Sequence, residues 1–155
     1  GHRCDCFVDL GSGDGQGVYE AVRSGYQRAV GVELNYTLYA LSQLRRRLSW
    51  SKEDRSRSRF LCQDMFRYDI RNADTVLVFG VKPLMVPISM KLRRECSAGT
   101  HVLSYRFLLP YVDHNAPEEQ GSSDLVHAEI VYDEQEMRVY KIIFLLSNRL
   151  PCFSF

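Results

Sequence analysis

The chain has 155 residues, a formal net charge of +1 at pH 7, 45% hydrophobic residues and 25% charged residues. That length suffices for one domain with a substantial core, and the composition excludes a disordered chain. The near-neutral charge gives no global electrostatic case for a nucleic-acid binder, and no run of about 18 apolar residues is present to span a membrane.

Taken in chain order, "DCFVDL" (5–10) predicts a short buried strand. "GVYEAVRSG" (17–25) predicts a helix, with Val18, Ala21 and Val22 at helical spacing and Gly25 as its stop. "RAVGVEL" (28–34) is a second buried strand. "YTLYALSQLRRRLSW" (36–50) is the clearest helix, with Leu34, Leu38, Leu41, Leu44 and Leu48 forming one apolar stripe. "SKEDRSRS" (51–58) reads as a polar turn, "RFLCQDMF" (59–66) as a third strand and "ADTVLVFGV" (73–81) as a fourth. A helix is expected from near Pro87 to before Gly99, then a fifth strand in "THVLSYRFLL" (100–109). Residues 112–124 read as an exposed loop, and 125–133 with 137–146 as a terminal hairpin.

Five cysteines is an odd number, and Cys4-x-Cys6 lacks the two-residue spacing of zinc or redox motifs. Cys62 and Cys96, among apolar neighbours, read as small core residues in a reducing compartment, and no metal is expected. The chain lacks an initiator Met and starts almost at its first strand, so a piece of a longer protein is expected.

Strand–helix alternation followed by two strands predicts an α/β fold: Rossmann-like, doubly wound, mostly parallel and seven-stranded, with a C-terminal antiparallel hairpin. Such sheets bind ligands beyond the carboxyl ends of their strands, at the topological switch point. "FVDLGSGDG" (7–15) stands at that place. Glycine at alternate positions lets backbone approach a ligand that side chains would block. The dinucleotide fingerprint Gly-x-Gly-x-x-Gly is not matched, since Gln16 occupies the position of its third glycine and Gly17 misses by one.

Asp9-x-Gly11-x-Gly13-x-Gly15 instead resembles the first motif of class I methyltransferases, which implies S-adenosyl-L-methionine as cofactor. In that resemblance Glu33, ending "GVE", accepts both ribose hydroxyls, and Asp64, in "CQDMF", contacts the adenine amino group. Read alone, Glu33 or Asn35 could instead cap the following helix, and Asp64 could be a turn residue. Ser12, Leu34 and Met65 complete the implied cofactor set. Asp14 is expected in the first turn of helix one, where its charge suits the dipole, or facing the cofactor's ammonium.

The segments "VDLGSGDG", "AVGVELN", "VFGV" followed by "PLM", and "VLSYRFLLP" are similar to the adenine nucleotide translocase and ATP synthase c-subunit lysine methyltransferases, and to archaeal protein lysine methyltransferases. The similarity runs from residue 7 to about 110. It departs at Gln16, where an Arg is common, and at Pro110-Tyr111, where Pro-x-Trp is expected. The Asn/Asp-Pro-Pro-aromatic motif of base-amine methylating enzymes is missing from "FGVKPLM" (79–85). The resemblance implies one methyltransferase domain over 1–155, lacking the family's N-terminal anchor and helix. It further implies a monomeric enzyme, mitochondrial or otherwise cytoplasmic, acting on a lysine of a membrane protein, without nucleic acid. A small-molecule methyltransferase and a non-catalytic AdoMet- or AdoHcy-binding domain are the alternatives.

Phe79 and Tyr105 are the candidate channel aromatics, with Phe107 and Tyr111 as further ones, because a dry, aromatic-walled channel disfavours a lysine ammonium by desolvation. Asp113 and His114 are candidate proton acceptors. The arginines of 45–59 read either as a solvated helix end or as a contact for acidic lipid or protein.

Overall fold

The computed structural model describes residues 5–79, 81–105 and 109, and the backbone of 112–113, 126–134 and 137–144. Five strands run parallel: β1 (Cys6–Leu10), β2 (Arg28–Glu33), β3 (Ser58–Cys62), β4 (Thr75–Val78) and β5 (His101–Tyr105). Their order is β3-β2-β1-β4-β5, and the sheet continues through β8 (Met137–Phe144), β7 (Val126–Glu134) and β6 (Val112–Asp113). β8 is antiparallel to both β5 and β7, and β6 is parallel to β7. The described residues therefore make eight strands where seven were expected. The addition is β6, inside a stretch read as loop, and two residues are too few to carry a hydrophobic period.

Four α-helices join these strands among the described residues: α1 (Gln16–Arg23), α2 (Tyr36–Ser49), α3 (Lys52–Arg57) and α4 (Met85–Glu95). Alternation along β1 divides the core in two. Val8 and Leu10 face α4, joining Val76, Val78, Ile88, Leu92 and Val102. Phe7 faces α1, joining Val18, Val22, Ala29, Trp50 and Phe60. Trp50 holds that second cluster by ring contacts to Tyr19 and Phe60, with centroids 5.0 and 5.7 Å apart. α1 stops as expected: Gly25 takes φ 102°, and the Tyr26 N–H reaches back to the Ala21 carbonyl at 3.2 Å.

Several elements differ from expectation. Residues 51–58 are not a turn but contain α3. The Ser51 side chain accepts from the Asp54 N–H, Glu53 and Asp54 lie in the first turn, and Arg57 pairs with both acids. β3 ends at Cys62 rather than 66, because Asp64 turns the chain by accepting the Phe66 N–H at 2.9 Å. β4 is shorter than its apolar run, and α4 begins at Met85, with Pro87 within its first turn. Phe107, Tyr111, His114 and the Asp113 side chain lie outside the described residues. Cys96 is buried as expected, and burial beside Glu95 pushes its thiol up to about 12. Cys62 is exposed, because it ends the edge strand.

The largest departure concerns α2. Its leucine stripe exists, but it faces away from the sheet: Leu34, Leu38, Leu41, Leu44 and Leu48 are all exposed. The inward face is Tyr39, Ser42, Gln43 and Arg46, at steps of three and four. Polar groups suit that side because they meet backbone. Arg46 donates to Ser58 Oγ at 2.9 Å and to the carbonyls of Arg55 and Ser58 at 2.6 and 3.0 Å. The arginine cluster is thus partly a lacing of α2, α3 and β3. Asn35 is the N-cap of α2, its Oδ1 accepting from Thr37 and Leu38 at 2.9 and 3.2 Å. Replacing Asn35 with Ala should lower stability by about 1 kcal/mol, measurable as a shift in the urea midpoint without a change in slope.

Candidate functional site

The topological switch lies between β1 and β4, and the loop from Gly11 to Gly15 follows β1 there. Gly11 and Ser12 donate their N–H groups to the Val32 carbonyl at 2.9 and 3.1 Å, and Gly15 donates to the Ser12 carbonyl at 2.8 Å. Gly15, with φ 88°, is the N-cap of α1, and a Cβ there would stand 2.5 Å from the Phe60 ring. Glycine is required by both the dihedral and the space.

Glu33 ends β2 beside this loop. Its Oε2 accepts the Gly13 N–H at 2.8 Å and its Oε1 the Asn35 N–H at 2.7 Å. The carboxylate thus clamps the loop to the start of α2, while Asn35 does the capping. Each oxygen keeps acceptor capacity for a further donor. The Gln63 N–H donates to the Glu33 carbonyl at 3.1 Å, bringing the turn at Asp64 alongside. Met65 closes over the loop, its Cε 3.8 Å from the Cβ position of Gly11, and the Phe79 carbonyl is 4.0 Å from that point. Phe79 and Tyr105, at the ends of β4 and β5, stack with centroids 4.9 Å apart and planes 18° apart. Phe79 is 53% exposed and Leu34 is exposed, so both border the site rather than its core.

Asp9 is the buried acid of the site. Strand alternation puts it on the α1 face, between Gly31 and Leu77 of the flanking strands. A Cβ on Gly17 would lie 2.5 Å from Asp9 Oδ2, so this glycine is what lets α1 settle on a carboxylate. In the sequence Gly17 reads only as a near miss of the dinucleotide fingerprint, which gives no hint of this role. Asp9 Oδ1 and Ser12 Oγ are buried without a hydrogen-bond partner. Burial, then the charges of Glu33 and Asp14, raise the Asp9 pKa to about 7.

Asp14 precedes the N-cap of α1 rather than sitting in its first turn. It accepts from the Gln16 N–H at 3.3 Å and forms an ion pair with Arg45. Arg45 also donates to Gln16 Oε1 at 3.0 Å, so α2 holds the loop from outside. No local pattern announces this contact, which joins positions 31 residues apart. A separate cleft between residues 66–71 and α4 is lined by Arg67, Arg71, Lys91 and Arg94, among others. Arg71 is paired with Asp69, and Lys91 and Arg94 with Glu95. This reads as an ion-pair lock rather than a ligand site.

Two orphaned buried oxygens, a doubly engaged carboxylate at the end of β2, and an acid turn after β3 fit a ligand rich in hydroxyl and amino donors. That donor set matches S-adenosyl-L-methionine. The fold and this constellation define a class I methyltransferase domain.

The chain belongs to the family described as the ANTKMT methyltransferase domain, whose model matches residues 9–116. The ATP synthase c-subunit lysine N-methyltransferase of rat (Rattus norvegicus) is 34% identical over 119 residues, covering 76% of this chain and 53% of the relative. The adenine nucleotide translocase lysine N-methyltransferase of mouse (Mus musculus) is 34% identical over 104 residues, covering 67% and 44%. The chain spans about half the length of these relatives. Among solved structures, an RNA methyltransferase from Salinibacter ruber in complex with S-adenosyl-L-homocysteine superposes with TM-score 0.68. It is 26% identical, and the match covers 90% of this chain and 81% of that one.

The Asp9 environment predicts a pH dependence. The folded state retains the Asp9 proton up to about pH 7, whereas an unfolded carboxyl loses it near the ordinary value of 3.8. The folded state thus binds more protons between these limits, and stability falls as pH rises through the window. Asp9→Asn should flatten that fall and stabilise the ligand-free protein at pH 8 by about 2–4 kcal/mol. Urea melts of both proteins at pH 5 and pH 8 check this.

Proposed function

We propose that this domain transfers a methyl group from S-adenosyl-L-methionine to a lysine side chain of a mitochondrial membrane protein. The observation that carries the reading is the convergence of the Glu33-clamped loop and the Phe79–Tyr105 stack at one end of the sheet. Membership of a family whose relatives are lysine N-methyltransferases supports it. So do the absence of an Asn/Asp-Pro-Pro motif after β4 and the near-zero net charge, which argue against nucleic acid.

When bound, S-adenosyl-L-methionine supplies a methyl group activated by the sulfonium. Glu33 would accept the ribose hydroxyls on its free lone pairs, Asp64 the adenine amino group, and the backbone from Gly11 to Gly15 would line the methionine end. Ser12, Leu34 and Met65 complete the contact set. Asp9 would belong to this set through its unpartnered Oδ1, and it seats α1 beneath the loop. The acceptor lysine must present a neutral amine, although its ordinary pKa is about 10.4. The Phe79–Tyr105 stack offers an aromatic wall that excludes water, disfavours the ammonium and aligns the amine. We read the seven longer strands as the class I sheet with its terminal hairpin, and residues 1–155 as one methyltransferase domain acting as a monomer.

Labelled methyl transfer into a mitochondrial membrane extract tests the reading. A discrete labelled protein band is expected, and Glu33→Ala should reduce it roughly a hundredfold by removing charge-assisted hydrogen bonds to cofactor and loop. Label confined to low-mass acceptors would favour a small-molecule methyltransferase. Binding of S-adenosylhomocysteine without label on any acceptor would mean a non-catalytic domain.

Phe79→Ala should lower kcat/KM about tenfold and move the pH optimum upward, because a wetter channel leaves the lysine charged to higher pH. A pH–rate profile of the variant separates this from a simple loss of packing.

A further inference from the structure

The outer face of α2 is an apolar surface on a helix whose own packing is complete without it. Leu38, Leu41, Leu44 and Leu48 are 38%, 42%, 53% and 73% exposed, and Leu34, also exposed, extends the stripe toward the candidate site. The opposite face already engages the sheet and α3 through Tyr39, Ser42, Gln43 and Arg46. Scattered surface leucines need no explanation, but a continuous stripe of them marks an interaction surface.

The charges around the stripe indicate its occupant. α2 carries Arg45, Arg46 and Arg47 and no acid. Residues 36–58 contain six Lys or Arg against two acids, in a chain whose net charge is only +1. Both of those acids, Glu53 and Asp54, are engaged by Arg57. Arg47 and Lys52 are exposed beside the stripe. Two copies meeting through this face would bring like charges together with no acid on α2 to offset them. Protein interface cores are also rich in aromatic anchors, whereas this stripe is almost entirely aliphatic. A leucine band bordered by cations is the composition of a helix lying in an anionic lipid surface.

We propose that the outer face of α2 docks on an anionic membrane surface, its leucines entering the acyl boundary and Arg47 and Lys52 meeting headgroup phosphates. α2 begins three residues after Glu33, so this contact places the candidate site beside the bilayer. The proposal does not rest on methyl transfer, and it is tested without turnover.

The test is co-sedimentation of the 155-residue protein with vesicles of phosphatidylcholine alone or mixed with phosphatidylglycerol, at low salt. Strong partition onto the anionic vesicles is expected. Leu44→Asp and Leu48→Asp should each reduce it about tenfold, and Arg47→Gln about fivefold on anionic vesicles while leaving neutral ones unchanged. These side chains are exposed, so circular dichroism melts of the variants should match the parent. Failure of the folded parent to partition, or partition indifferent to both leucine substitutions, overturns the proposal. A parent that is dimeric by light scattering and becomes monomeric in the leucine variants overturns it in favour of self-association. Binding of an acidic peptide without vesicle binding overturns it in favour of a protein partner.

Discussion

A buried carboxylate in the seam between β1 and α1 sets the arrangement on which the site depends. Burying Asp9 costs free energy unless its charge is removed or met by a donor, and the fold supplies Oδ1 with no donor of its own among the described residues. α1 can lie over it only because Gly17 has no side chain. The height of α1 fixes where its N-terminus meets the chain leaving β1, and hence the path from Gly11 to Gly15. A hydrophobic residue at position 9 would pack more favourably. Its replacement by an acid is local frustration of the kind that collects at functional sites.

Glu33 solves a second problem, the coupling of that loop to the neighbouring strand. Two backbone N–H groups, from Gly13 and Asn35, converge on one carboxylate, so the loop and the start of α2 move together. Arg45 ties the same two elements from the solvent side through Asp14. Loop position is therefore determined from β2 and from α2, while Phe60 supports it from below. A ligand arriving there meets groups already held in place, which reduces the ordering cost of binding.

α2 illustrates how tertiary context overrides pattern. Its leucine period is that of an amphipathic helix, and such a stripe ordinarily faces the core. Here the side toward the sheet must pass close to the glycine loop, where Ser42 is small enough, and must satisfy carbonyls at the α3–β3 junction, where Arg46 reaches. Small and polar residues meet those demands, and leucines do not. The apolar face is left exposed.

Much of the architecture was legible in the chain alone. Continuous apolar runs located the parallel strands, and the spacing of Asp9, Gly11, Gly13, Gly15, Glu33 and Asp64 placed an acid or glycine at the end of each of three successive strands. Those are local or periodic signals, carried by residue type and step. Other features had no local signature: the contact of Arg45 with Asp14, the seat of Asp9 against Gly17, the stacking of Phe79 on Tyr105, and the outward turn of the leucine stripe. Each joins residues distant in sequence or depends on which helix face the neighbouring elements can accept. Period and composition determined which elements form and where a ligand would sit. Only packing decided which faces met, because that choice depends on the shape and hydrogen-bonding needs of elements that periodicity cannot bring together.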